Sequence, residues 1–196
     1  AAVLSLTALG VLSGCGGSSS TAITNNPNPN PPQVTRGQYG PLQFTLSTTK
    51  TVFAVGETVP FVFTITNTGS ETVSGFAGDR FGRESGDLIG ADILRDGARI
   101  WTKDGLTLGG TGSLSRVSFN PGESRRFEFS WSQKGNDLVF FPLEGFVGLY
   151  RNVEGPQVAP GTYSIDARAG FSLESVTDQN QNPQAPAPMN MNITIR

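Results

Sequence analysis

Histidine is absent from all 196 residues, and cysteine occurs once, as Cys15. Those two facts set the chemistry open to the chain. Without an imidazole there is no usual general base, no usual metal ligand and no pH switch near neutrality. Ser-His-Asp and Cys-His arrangements and the zinc patterns are therefore excluded, and one cysteine cannot close an intramolecular disulfide. What is left is a single thiol in a particular place. Cys15 ends the stretch Leu12-Ser13-Gly14-Cys15, behind the uncharged apolar run AAVLSLTALGVL over residues 1–12. That run has the length of the apolar part of a signal peptide. It falls short of the roughly 20 residues needed to cross a bilayer. Neither an initiator Met nor positive residues precede it, so residues 1–14 read as a truncated signal peptide. A free exposed thiol is reactive and disfavoured in a secreted chain, which argues that Cys15 is modified.

An apolar run closing on Leu-Ser-Gly-Cys and followed by Gly-Gly-Ser-Ser-Ser resembles the lipobox of bacterial lipoproteins. The resemblance implies cleavage before Cys15 and acylation of Cys15 as the first mature residue. It also implies a location in the cell envelope, lipid-anchored to a membrane. One acyl chain holds a membrane marginally, whereas two or more anchor it stably, at about 0.8 kcal/mol per buried CH₂. Residues 15–40 then read as the lipidated cysteine and a disordered linker. The stretch GGSSSTAITNNPNPNPPQVTRGQYG offers almost nothing to bury, its Asn-Pro alternation favours extended backbone, and its Gly/Ser part is flexible.

The remaining candidates for chemistry are sparse. Residues 178–182, DQNQN, open like a calcium-binding loop, but Pro183 stands where that loop needs glycine and no glutamate closes it. They read as a polar surface loop. Residues 78–90 carry Asp79, Glu84 and Asp87, whose spacing alone does not define a cation site. Charge totals are Lys+Arg 14 against Asp+Glu 16, net -2. No basic stripe appears, so nucleic acid is not an expected partner. Arg125-Arg126 reads as a solvated strand edge. Trp101 and Trp131 are expected in the core or at its rim. No spacing suggests catalysis and no cofactor is implied. The notable oddity is LVFFPLEGFVGLY over residues 138–150. It reads as an additional hairpin buried on the domain, or as an apolar contact surface for a partner, with Leu138, Phe140, Phe141, Leu143, Phe146 and Tyr150 as the contacting residues. Pro142 and Glu144 would limit its aggregation.

Around these residues the chain, 36% hydrophobic and only 15% charged, is organised as strands. Leu42, Phe44 and Leu46 alternate with polar residues, as do Phe61, Phe63 and Ile65. Asn67-Thr68-Gly69 ends that strand, with glycine expected to supply a positive φ. Val73 and Phe76 begin a short strand. Asp96-Gly97 between DILR and ARIW predicts a type I′ hairpin. Asn120-Pro121-Gly122 precedes alternating Phe127, Phe129 and Trp131. Pro160-Gly161 precedes Tyr163, Ile165 and Ala167. Met189, Met191, Ile193 and Ile195 share one side of a last strand. No segment keeps a helical period. The expected fold is all-β, an immunoglobulin-like antiparallel β-sandwich of about seven to nine strands, over residues 41–196.

Four blocks occur in order: VGETVPFVFTITNTGSETV, DGARIW, NPGESRRFEFSW and PGTYSIDA. Together they resemble the BsuPI family, described as intracellular proteinase inhibitor, over about residues 42–170. The chain departs from that pattern in TKDGLTLGGTG after Trp101 and in the long segment between Trp131 and Pro160. The intracellular description also conflicts with the lipobox; a fold does not fix a compartment. The expected function is a membrane-anchored envelope lipoprotein whose non-catalytic sandwich binds a protein or other envelope partner. The alternative implied by the resemblance is a proteinase inhibitor. There, loops at 78–90 and 105–112 would present an extended segment to a protease, with Arg80 or Arg83 entering a pocket for basic side chains.

Overall fold

The computed structural model describes residues 30–78, 88–103, 114–143, 146–176 and 184–196. Fourteen strands appear among them and no helix. They are β1 Gln33–Tyr39, β2 Leu42–Thr48, β3 Val52–Phe53, β4 Val59–Asn67, β5 Val73–Gly78, β6 Ile89–Arg95 and β7 Ala98–Thr102. β8 Leu114–Phe119, β9 Ser124–Trp131, β10 Lys134–Leu143, β11 Phe146–Gln157, β12 Gly161–Ala169, β13 Phe171–Leu173 and β14 Met189–Ile195 complete the order.

One sheet runs β1-β2-β4-β9, antiparallel throughout. The strands β3-β14-β12-β6-β7 and β13-β5-β8 form the other layer. These two groups are continuous. β12 pairs with β6 up to Ala169 opposite Ile89, and β13 pairs with β5 from Phe171 opposite Ala77. Between them the Gly170 amide donates to the Leu88 carbonyl at 2.7 Å. One long hairpin, β5–β6 followed by β7–β8, thus lies beside a nearly unbroken β12–β13. Asp96 and Gly97, both at positive φ (51° and 79°), turn it as the sequence predicts.

The alternation read from the sequence is the alternation of burial. β2, β4 and β14 bury every second residue. Leu42, Phe44, Leu46, Phe61, Phe63 and Ile65 of the first sheet join Ile93, Ile165, Met191 and Ile193 of the second in one core. Each fully buried side chain of this size stabilises the fold by about 1.5–3 kcal/mol relative to exposure. Trp131 is fully buried and meets the Tyr163 ring edge-on, centroids 5.3 Å apart. Tyr163 sits near the start of β12, and its hydroxyl donates to the carbonyl of Ala159, four residues upstream. A tyrosine that clasps the preceding corner in this way is a hallmark of immunoglobulin-like sandwiches. The fold is an all-β, immunoglobulin-like sandwich, with more strands than expected.

Three expectations are corrected. The linker boundary at residue 40 is too late. β1 pairs with β2 along its whole length, and Tyr39 is buried against Phe44 and Phe171. Earlier still, the Asn30 side-chain oxygen accepts the Thr51 and Val52 amides at 2.6 and 2.7 Å. β1 escaped notice because its alternation is mostly polar, with Tyr39 as its one buried residue. Gly69 does not supply a positive φ. It is needed for room: a Cβ there would lie 3.0 Å from Pro41 Cβ and 3.2 Å from Asn67 Oδ1. Asn67 organises this corner. Its amide nitrogen donates to the Glu71 and Phe119 carbonyls, and its side-chain oxygen accepts the Gly69 amide. Finally, the strand count rises above nine, because β1, the short β3 and β13, and two extra strands over 134–157 join the domain.

Two turns share one design. In Ala54-Val55-Gly56-Glu57 and Asn120-Pro121-Gly122-Glu123, the glutamate amide donates to the first residue's carbonyl. The glutamate carboxylate then accepts the first residue's amide, at 2.9 Å in both. Gly56 and Gly122 occupy the position of positive φ, 80° and 74°, that a type II turn demands.

Candidate functional site

The apolar stretch over 138–150 falls in a two-stranded arm. β10 and β11 pair with each other as a separate sheet, Phe140 opposite Tyr150, Phe141 opposite Leu149 and Leu143 opposite Phe146. The stretch is therefore paired as two antiparallel strands, as the hairpin reading requires. Leu138 lies opposite Asn152, and the register shifts between Phe141 and Leu143. Val139 of β10 and Val153 of β11 are both well exposed, at 39% and 43%.

The arm is held at its base. Asn136 faces Thr102 of β7 and imitates a neighbouring strand: its Oδ1 accepts the Thr102 amide at 3.0 Å and its Nδ2 donates to the Thr102 carbonyl at 2.8 Å. Gly135 lets the strands approach, since a Cβ there would lie 3.3 Å from the Ile100 carbonyl oxygen. On the other side, Gln133 is fully buried with φ 59°. Its Oε1 accepts the Gly56 amide at 2.9 Å, and its Nε2 donates to the Ala54 and Glu57 carbonyls at 2.8 and 2.6 Å. Its own carbonyl accepts the Val158 amide at 2.8 Å. This one residue ties the β3–β4 turn to both ends of the arm. Lys134 and Glu154 pair across the base at 2.7 Å. Beside it lies a cavity of about 330 Å³ walled by Arg95, Arg99, Asn136, Asp137 and Tyr163.

Neither Gln133 nor Asn136 was singled out in the sequence. SQKGN carries no signal for a left-handed glutamine or for an asparagine that replaces a backbone strand. Cys15, Arg80 and Arg83 lie outside the described residues, as do Asp79, Glu84, Asp87 and 178–182. The strands that flank the two loop segments are described, and Gly78 pairs directly with Leu114. Trp101 is half-buried against the core. Arg125 and Arg126 lie on β9, a sheet edge as expected. Arg125 covers the Phe119 ring at 4.3 Å and donates to Glu123 at 2.8 Å. Among the described residues, no group of three or more Asp, Glu or Cys side chains is placed to hold a metal.

The charged turns show shifted acidities. The Lys50 ammonium and then the Ala54 amide hold the Glu57 carboxyl below its ordinary value. The Asn120 amide and then Arg125 do the same for Glu123.

No family model matches the chain, and no curated protein matches it. Solved structures do. The CARDB domain of the PF1109 protein from Pyrococcus furiosus, in complex with di-metal ions, is 14% identical with a TM-score of 0.34, over 84% of this chain and 89% of that one. A β-glucosidase from Listeria innocua in complex with glucose is 12% identical with a TM-score of 0.38, over 79% of this chain and 16% of the enzyme. A β-glucosidase from Erythrobacter marinus is 16% identical with a TM-score of 0.35, over 83% of this chain and 16% of the enzyme. At these values the neighbours carry no argument about activity. The fold assignment rests on the sheets, their register and the Tyr163 clasp.

Proposed function

We propose that this protein is a cell-envelope lipoprotein, anchored through acylated Cys15, whose non-catalytic sandwich binds a protein partner through the β10–β11 arm. The observation that carries the reading is the arm itself. A two-stranded hairpin is marginal alone in water. This one has a sequence rich in Phe, Leu and Val, and its backbone belongs to neither layer of the sandwich. A partner covering the exposed Val139 and Val153 would stabilise the arm. The test places a photo-crosslinking amino acid at Val139 or Val153 in cells. One discrete adduct at these sites, absent from a control at Val55, supports the reading; identical adducts at all three sites reject it. Anchoring is tested by metabolic labelling with palmitate. Cys15→Ala is expected to lose the label and leave the membrane fraction.

A second reading, a proteinase inhibitor of BsuPI type, draws support from one feature. Gly78 and Leu114 are cross-strand partners, so segments 79–87 and 104–113 depart from one level of the β5–β8 region. Roots placed side by side suit the presentation of Arg80 or Arg83 to a protease cleft. Titration against trypsin-like proteases checks it, and Arg80→Ala with Arg83→Ala must remove any inhibition seen.

A further inference from the structure

Among the described residues, the sandwich is open on one side. β9 ends the first sheet and β8 ends the second, so two strand edges face a common cleft. The cleft has a volume of about 490 Å³. Its floor is core: Ala77, Leu88 and Phe127 are only partly buried there, although they pack against the buried cluster, and Val117 completes the surface. Its rim is Arg116, Arg125 and Arg126, and among the described residues no carboxylate lines it. The carboxylates that pair with these arginines, Glu174, Glu123 and Glu128, lie outside the cleft. Arg116 and Arg126 have side chains 66% and 63% exposed. Exposed pairs of that kind contribute little, so both guanidinium groups can change partner at small cost. Arg125 is different. It is braced by Glu123, by the Ser118 carbonyl and by the Phe119 ring, which fixes one positive charge at the mouth.

We propose that this cleft is a second binding site, distinct from the arm, which takes an extended peptide of alternating apolar and acidic residues by strand addition to β9. An edge strand offers unpaired N–H and C=O groups to an incoming strand, and side-chain specificity then repeats every second residue. On β9 the inward residues are Arg125, Phe127 and Phe129, and the outward ones are Arg126 and Glu128. A strand laid along it would set one row of side chains over Leu88, Val117 and Phe127, which asks for apolar residues. It would set the other row towards solvent beside Arg126, which asks for carboxylates.

The probe is a fluorescein-labelled octapeptide of alternating valine and glutamate, with the full chain as receptor and anisotropy as readout. Two control peptides replace glutamate by lysine, or carry a methyl group on every amide nitrogen. The acidic peptide is expected to bind at least tenfold more tightly than either control, and its affinity should fall as salt rises. Arg116→Glu with Arg126→Glu is expected to weaken it at least tenfold and to make the lysine peptide the better ligand. Both residues are exposed, so the variant should keep its melting temperature. Ser115→Tyr, at the mouth, is a second variant that should block the site without altering charge. Absence of binding up to millimolar acidic peptide overturns the proposal. So does equal binding of the acidic and lysine peptides, an N-methylated peptide that binds as well as its parent, or binding of a fatty acid such as laurate with no peptide binding.

Discussion

Single side chains do much of the joining in this fold, and they do it by replacing backbone. Glu57 and Glu123 each close a turn by accepting an amide three residues back, and each is also held by a cation, Lys50 at 2.5 Å and Arg125 at 2.8 Å. Both carboxyls are thereby made more acidic in the folded protein than in the unfolded chain. The sign follows from linkage. A group with a lowered folded pKa stabilises the fold above its unfolded value, and that contribution is lost as pH falls through the folded value. Stability should therefore decline as pH drops from about 5 to about 3, and Glu57→Gln with Glu123→Gln should flatten the decline while lowering stability at pH 7. Urea unfolding at a series of pH values, followed by tryptophan fluorescence, measures both. Gln133 carries more. Removing its amide would take the side-chain partner from the Gly56 amide and from the Ala54 and Glu57 carbonyls, on a turn that itself faces solvent. Gln133→Ala should cost about 1–3 kcal/mol, since three hydrogen bonds of about 0.5–1.5 kcal/mol each are lost and water replaces part of them. The same unfolding measurement reads it.

Strands explain why some of this was legible in the sequence and some was not. β2, β4, β12 and β14 bury alternate large residues on one face, so period two in the sequence is period two in burial. The Asp96-Gly97 turn was readable for a similar reason, since few residue pairs tolerate two positive φ angles. β1 was not readable, because its partner supplies most of the apolar contact. Nor could the sequence tell that Asn136 would stand in for a strand beside β7, since that depends on a contact 34 residues away. Close approach leaves an equally faint trace. Gly75 looks like a weak point in β5, yet a Cβ there would sit 2.2 Å from the Ser172 carbonyl oxygen of β13. That atom is backbone and cannot rotate away. Gly75→Ala should force β5 and β13 apart and destabilise the protein by about 1–3 kcal/mol, the usual cost of overpacking. Asn136→Ala should act differently. It frees the β10–β11 arm from the β7 edge, so amide exchange of Thr102 should accelerate far more than exchange in β4 or β14.

At the scale of the whole molecule, the decisive question is where the folded body starts. A sandwich beginning at residue 41 would leave β2 as an open edge and strip away Tyr39, whose ring lies between Phe44 and Phe171 and whose hydroxyl accepts the Leu173 amide at 2.9 Å. It would also uncover Met189, which packs over Gly37. Burial of Tyr39 alone is worth about 2 kcal/mol by the usual side-chain scale, and a buried Leu173 amide left bare adds about 1–3 kcal/mol. Chains starting at Asn30 and at Pro41 therefore make a sharp comparison. The longer should unfold cooperatively at the same urea concentration as the full chain. The shorter should lose roughly 3–5 kcal/mol, the sum of those two effects, and associate through the bared β2 edge. Equal stability of the two would mean that β1 contributes no net free energy. The same boundary governs the proposed tether. With Asn30 fixed to β3, only residues 16–29 remain to separate the domain from a lipid on Cys15. At about 5–6 Å × √n, that shortens the reach from the roughly 25–30 Å of a linker ending at residue 40 to about 20 Å. On the proposed anchoring, a domain held that close would meet the membrane surface often, and lengthening the tether by a Gly/Ser insert before Asn30 should lower crosslinking of Val139 if its partner is membrane-embedded and leave it unchanged if the partner is free in the envelope.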